Sequence, residues 1–148
     1  MRYCTPEDLA LAVPRETLAQ LSNDDAPEDG PDMAVLERVV SDAEDLIDGY
    51  LRGRYDLPFP SAPSVVRRIT VDLARHGLYA RRPEGGDDLP DAVVRAYKAG
   101  IETLKAIRDG GISLGVPETQ GAQPEPASVR TKRSGGRRFS ADLLSKYR

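Results

Sequence analysis

Side chains capable of chemistry are few and poorly grouped. His76 is the one imidazole and Cys4 the one thiol in 148 residues, so neither a Cys/His zinc cage nor an internal disulfide can be built within the chain. His76 falls on the apolar stripe of a helical segment and reads as a satisfied core histidine rather than a base. Cys4, near the chain end with no base beside it, reads as an inert thiol. The stretch Asp24-Asp25-x-x-Glu28-Asp29-Gly30-x-Asp32 invites comparison with a calcium loop. Counted from Asp25, however, Pro27 takes the third ligand position and no Glu stands at the twelfth, so a solvated loop is expected. Gly85-Gly86 and Gly110-Gly111 lack the surroundings of phosphate loops and read as turn and helix-stop glycines. No catalytic residue, cofactor or metal site is expected.

Charge gives a stronger signal. Lys and Arg number 21 against 24 Asp and Glu, a net of −3. Residues 1–116 carry 14 basic and 21 acidic side chains, a net of −7, whereas residues 117–148 carry 7 and 3, a net of +4. The basic tail holds Arg130, Lys132, Arg133, Arg137 and Arg138 around Gly135-Gly136. Three readings fit it: binding to nucleic-acid phosphates, a solubilising tail, or docking on an acidic protein surface such as the body of a neighbouring copy.

The elements that position these residues read as helices separated by Pro and Gly. Thr5-Pro6-Glu7-Asp8 opens the first, with Thr as N-cap, Pro in the first turn and Leu9, Ala12 and Val13 as its apolar face. A second short helix runs from Pro14 to Leu21, with Leu18 and Leu21 inward. The strongest period spans Asp32 to Tyr55: Val35, Leu36, Val39, Val40, Ala43, Leu46, Ile47, Tyr50 and Leu51 make one stripe. Glu37, Arg38, Asp42, Glu44, Asp45 and Asp48 are expected on its outer side. Leu57-Pro58-Phe59-Pro60 ends it. A further helix from about Pro63 to Arg81 has Val66, Ile69, Leu73, His76, Gly77 and Ala80 inward and Arg67, Arg68, Arg75, Arg81 and Arg82 outward. The last runs from Pro90 to Gly110, with Val94, Tyr97, Ile101, Leu104 and Ile107 inward. Ile112 to Val116 could be a short strand or an extended segment, with no partner strand in view.

These patterns predict an all-α fold, a small helical bundle on one long helix: a helical domain over 1–116 and a basic, extended C-terminal arm over 117–148. The arm is rich in Gly, Pro, Ser and Gln, a composition that cannot offset ordering entropy. Its end is different: Phe139, Leu143, Leu144 and Tyr147 have the spacing of one face of a short helix, with Ser140 placed to cap it. No apolar run approaches the roughly 20 residues that cross a bilayer, and the N-terminus lacks signal-peptide character, so a soluble, intracellularly made protein with no membrane partner is expected.

At Ile47-Asp48-Gly49-Tyr50-Leu51-Arg52-Gly53-Arg54-Tyr55-Asp56-Leu57-Pro58-Phe59-Pro60 the chain resembles the Mu-like phage and prophage head–tail adaptor (connector) proteins, whose hallmark is a helix ending in IDGYL–x–x–RY–x–LP. Tyr3 with Thr5 to Leu9, the Asp-rich loop, and the ending Arg138-Phe139 through Leu144 to Tyr147 agree with it. Physically, Gly49 should admit a neighbouring helix, Tyr50 and Tyr55 bring large amphipathic surfaces, and Pro58 and Pro60 set the exit direction. Asp48, Gly49, Tyr50, Leu51, Arg54, Tyr55, Leu57 and Pro58 are then structural corner residues rather than ligands.

The resemblance implies a non-enzymatic subunit of a ring, twelvefold in the family's pattern, under the portal of a tailed phage. Such a ring extends the DNA channel, lets the genome pass without sequence-specific binding, and docks a stopper or other neck protein. It is made in the host cytoplasm and resides in the virion neck. The arm would reach the portal through Arg130, Lys132, Arg133, Arg137, Arg138, Phe139, Leu143, Leu144 and Tyr147. The alternative is a nucleic-acid-binding accessory protein that uses the same basic tail.

Overall fold

Local signals place each helix boundary close to where the sequence puts it. The computed structural model describes residues 1–81 and 89–119. Thr5 and Asp8 form a capping box: the Asp8 N–H donates to Thr5 Oγ1 at 3.3 Å and the Thr5 N–H to Asp8 Oδ2 at 3.0 Å. That box opens α1 (Pro6–Ala12), and α2 (Arg15–Ser22) follows Pro14. Asn23 then organises the acidic loop. Its Oδ1 accepts from the Ala26 N–H at 3.0 Å, and its Nδ2 donates to the carbonyls of Ala26 (2.7 Å) and Gly30 (3.0 Å). Gly30, at φ 108°, takes the left-handed turn that sends the chain towards Asp32. Asp32 caps α3 (Met33–Leu51), accepting from the Ala34 N–H at 2.8 Å.

α4 (Ser64–Arg81) and α5 (Asp91–Arg108) complete the bundle. α3 packs on both, and α1 and α2 lie across α3 and α4. The core runs from Leu9, Val13 and Leu18 through Leu36, Val40, Ile47 and Leu51 to Val66, Ile69, Leu78, Leu104 and Ile107, all buried. Each such side chain contributes about 1.5–3 kcal/mol relative to exposure, which is why the apolar stripes govern how the helices pack.

The architecture is all-α: the described residues form no strand, only one isolated antiparallel bridge of Tyr55 with Glu118. Ile112 to Val116 makes no strand. α3 ends at Leu51 rather than Tyr55, and a last turn follows in which the Leu51 carbonyl accepts from both the Arg54 and Tyr55 N–H groups, at 2.9 and 3.0 Å. Its 19 residues span about 28 Å. Ala12 and Ala80, expected inside, are exposed at the last turns of their helices, while Val93 replaces Val94 as the fully buried residue of α5.

Two expectations about α3 are overturned. Glu44 and Asp48 are not on its outer face but buried, at 1% and 4% exposure. Both lie beside Ala43, Ile47 and Leu51 on the inner stripe, where residues 2–4 cover them. Gly49 admits no neighbour: a Cβ there would meet nothing within 4 Å. The close approach belongs to Gly77 of α4, where a Cβ would lie 3.0 Å from Val39 Cγ1 of α3.

Candidate functional site

The buried acids of α3 hold the start of the chain. Glu44 Oε1 accepts the backbone N–H of Arg2 at 2.6 Å and of Tyr3 at 2.7 Å, with that of Cys4 at 3.5 Å. Asp48 accepts the Tyr3 hydroxyl and the Arg2 guanidinium, each at 2.5 Å, and Arg2 also pairs with Glu44 and Asp45. A carboxylate buried without partners would cost several kcal/mol; here cationic and backbone donors surround both. Burial, then the Asp48 hydrogen bond, push the Tyr3 phenol well above its ordinary range. The Tyr3 ring leans on Phe59 at 5.6 Å, and Phe59 in turn meets Tyr55 edge-on at 5.8 Å. Cys4 is buried and its thiol pushed up to about 12, first by burial and then by Asp8 and Glu44. It is fixed in the core.

At the other end of the motif, Arg54 holds the last described residues. Its guanidinium donates to the carbonyl of Ile107 and, at 3.2 Å, to that of Ile112, and pairs with Glu118 at 2.5 Å. The Ile107 carbonyl belongs to the final turn of α5, so Arg54 also supplies the cation that a helix C-terminus favours. Gly110, at φ 86°, turns the chain so that the Ile112 N–H reaches the Ala106 carbonyl at 3.1 Å. The Thr119 N–H then donates to the Arg54 carbonyl at 3.0 Å, and Tyr55 Oη accepts the Leu114 N–H at 3.3 Å. Hydrogen bonding from Arg54 holds the Glu118 carboxyl below its usual value and raises Arg54.

A third feature is a groove of about 610 Å³ between α3, α4 and α5. Val35, Val39, Leu46, Leu73 and Tyr97 supply its apolar lining, and Arg38, Asp42, His76 and Arg81 its polar groups. His76 stacks on Tyr97 with ring centroids 4.0 Å apart, and burial lowers its pKa. Leu46 is 39% exposed at the edge of the groove. No acid or second base stands within hydrogen-bond reach of His76 among the bonds of the described residues. None of these residues groups three or more His, Cys, Asp or Glu side chains in a way that could hold a metal. None of their helices is long and apolar enough to cross a membrane.

The motif residues therefore divide. Asp48 holds the N-terminal segment, and Arg54 and Tyr55 hold residues between Ile112 and Thr119; Leu51 and Tyr55 are buried. Tyr50 is half-buried, with the Arg108 guanidinium 5.9 Å from its ring centroid. Gly49 and Pro58 are exposed, Leu57 is half-buried, and the Leu57–Pro58 peptide is cis. Arg130, Lys132, Arg133, Arg137, Arg138, Phe139, Leu143, Leu144 and Tyr147, with the short helix expected there, lie outside the described residues, as do Arg82 and the loop to Asp88. Sequence reasoning missed Arg2, Glu44 and Glu118. The signal for Glu44 was its place in the row Val40, Glu44, Ile47, Asp48, Leu51, where two acids sit on helical spacing with the core.

The chain matches the model of the family described as Bacteriophage Mu, Gp36 over residues 3–133. Gene product J of Escherichia phage Mu is 31% identical over 125 residues, 84% of each chain. The Mu-like prophage FluMu protein gp36 of Haemophilus influenzae is 33% identical over 87 residues, 59% of this chain and 57% of that protein.

Proposed function

The chain belongs to the bacteriophage Mu Gp36 family, and from that premise we propose that it is a structural head-to-tail adaptor of a tailed phage or prophage. Copies form a ring, twelvefold, under the portal; the ring extends the DNA channel and docks a stopper or other neck protein. It works without catalysis, in the virion neck.

The observation that carries this reading is the anchoring of Glu118 and Thr119 by Arg54 and Tyr55. The basic arm therefore leaves every subunit from one fixed point on a rigid body. In a closed ring all arms then project from one side, where a single partner ring can meet every copy. The arm residues from Arg130 to Tyr147 are the portal-facing anchors. The body, with its net charge of −7 over 1–116, repels phosphates and lets DNA slide past.

The test mixes the purified full chain with portal rings of its own phage and images the product in negative stain. A second ring on the tail side of the portal is the expected result, and removal of residues 120–148 abolishes it. Docking that survives the truncation sinks the arm assignment. Failure to form rings, combined with micromolar DNA binding that falls with salt at a log–log slope of about −4 to −6, establishes the nucleic-acid reading instead.

A further inference from the structure

The groove between α3, α4 and α5 has an apolar floor of Val35, Val39, Leu46, Leu73 and Tyr97 that no described residue covers. Its lining carries three charges, Arg38, Asp42 and Arg81. Arg81 is held by Asp24, its Nη1 donating to Asp24 Oδ1 at 2.9 Å. Arg38 and Asp42, one turn apart on α3, are exposed and make no ion pair among the described residues. On another side of the molecule stands Leu11 of α1, 89% exposed and the most exposed large apolar side chain of the described residues. Its neighbours along the helix face are Glu7 and Asp8 before it and Pro14 and Arg15 after it. Asp8 is tied to Thr5 in the capping box. Glu7 and Arg15 are exposed and, like Arg38 and Asp42, make no ion pair among the described residues.

The two surfaces are complementary by either reckoning. With every charge counted, the groove is +1 from Arg38, Arg81 and Asp42, and the α1 face is −1 from Glu7, Asp8 and Arg15. With Arg81 and Asp8 set aside as already tied, Arg38 and Asp42 remain to meet Glu7 and Arg15, one of each sign on either side. They cannot meet within one chain. α4 gives Leu73, His76, Gly77 and Arg81 to the groove, and Ser64, Arg67, Arg68 and Val71 to the smaller cleft where Asp8 and Ala12 of α1 lie against it. At about 100° per residue these two sets stand about half a turn apart around α4. α1 and the groove therefore lie on opposite sides of α4. A contact between opposite sides of identical subunits is head-to-tail, the kind that makes a ring when the rotation closes. We propose that α1 of one copy seats Leu11 in the α3–α4–α5 groove of the next, with Glu7 against Arg38 and Arg15 towards Asp42. This deepens the adaptor reading, and rests on its ring, by naming the contact between neighbouring subunits.

The natural thiol, Cys4, is buried, so introduced cysteines report alone. Full chains carrying Leu11→Cys are mixed with full chains carrying Leu46→Cys, oxidised and run on a non-reducing gel. Mixed dimers are expected, and a chain carrying both cysteines gives a ladder of multimers. Val65→Cys, 41% exposed and outside the groove, takes the place of Leu46→Cys as the control and gives none. Glu7→Arg in the Leu11→Cys chain lowers the yield of mixed dimers about threefold, and Arg38→Glu in the Leu46→Cys chain restores it. The same oxidation on portal-docked rings separates this contact from the adaptor reading. Docked rings that lack the cross-link overturn the contact and leave the adaptor reading standing, whereas free chains that cross-link but do not dock do the reverse. Absence of mixed dimers in free and docked chains alike, an equal yield with Val65→Cys, or a loss with Glu7→Arg that Arg38→Glu does not reverse overturns the inference.

Discussion

Arg54 and Glu118 stand 64 residues apart in the chain and meet at 2.5 Å, closing the corner after α3 onto the segment that leads away from α5. The same guanidinium ties down the carbonyls of Ile107 and Ile112. Arg54→Ala removes all three contacts at once. The two carbonyl hydrogen bonds set the scale of the loss, about 1–3 kcal/mol together. Arg54→Lys recovers little of it, because an ammonium cannot spread donors over three acceptors in a fixed fork. Thermal melts check the loss, and limited proteolysis checks its place: cleavage near 112–119 should precede cleavage of the helices. A body and a segment that are lost together would contradict this.

The clamp at the start of the chain rests on Glu44. Glu44→Ala strands the buried N–H of Tyr3 and the part-buried N–H of Arg2 and leaves Arg2 one carboxylate short, a loss of about 3–5 kcal/mol. Tyr3→Phe removes only the hydroxyl bond to Asp48 and costs about 1–2 kcal/mol. Urea unfolding measures both. The order matters more than either value, and a Tyr3→Phe loss equal to that of Glu44→Ala would mean that Glu44 does not organise residues 2–4.

How far the sequence reveals this molecule follows from which interactions are periodic. The apolar stripes of α3, α4 and α5 repeat at helical spacing, so fold class and helix positions can be read directly, and the Ile47–Pro60 motif marks the family. Non-local polar contacts leave no such trace. Glu44 has the look of a solvent-facing acid until Arg2 and Tyr3 are brought over it from more than 40 residues away. Arg54 is legible as a motif residue, yet nothing in its neighbourhood names Glu118 as its partner. Gly49 sits in the motif and Gly77 outside it, while the close helix contact falls at Gly77, because only tertiary packing decides which glycine faces a neighbour.

That contrast is itself testable. Alanine in place of a helical glycine lowers the entropy of the unfolded chain and favours the helix by about 0.5–1 kcal/mol where space allows. Gly49→Ala meets open space and should gain that full amount. Gly77→Ala brings its Cβ to 3.0 Å from Val39 Cγ1, so Val39 must shift by a few tenths of an ångström and part of the gain disappears. Melting temperatures should therefore place Gly49→Ala above Gly77→Ala. The reverse order would show that the α3–α4 contact yields freely.

His76 makes stability depend on pH. Burial against Tyr97 favours its neutral form and lowers its pKa in the folded state, whereas the unfolded chain titrates near 6.5. As pH falls through about 6.5 the unfolded state takes up the proton first. It therefore binds more protons than the folded state, and stability drops with falling pH until folded His76 is protonated as well. Above that window the contribution is constant. His76→Phe keeps a ring against Tyr97 and removes the titration. Melting temperatures of both proteins between pH 7.5 and 5.5 isolate the effect from that of every other group: the native chain should lose stability relative to His76→Phe as pH falls. Parallel curves would mean that His76 is as well solvated in the folded chain as in the unfolded one, and that the groove it lines is open to water.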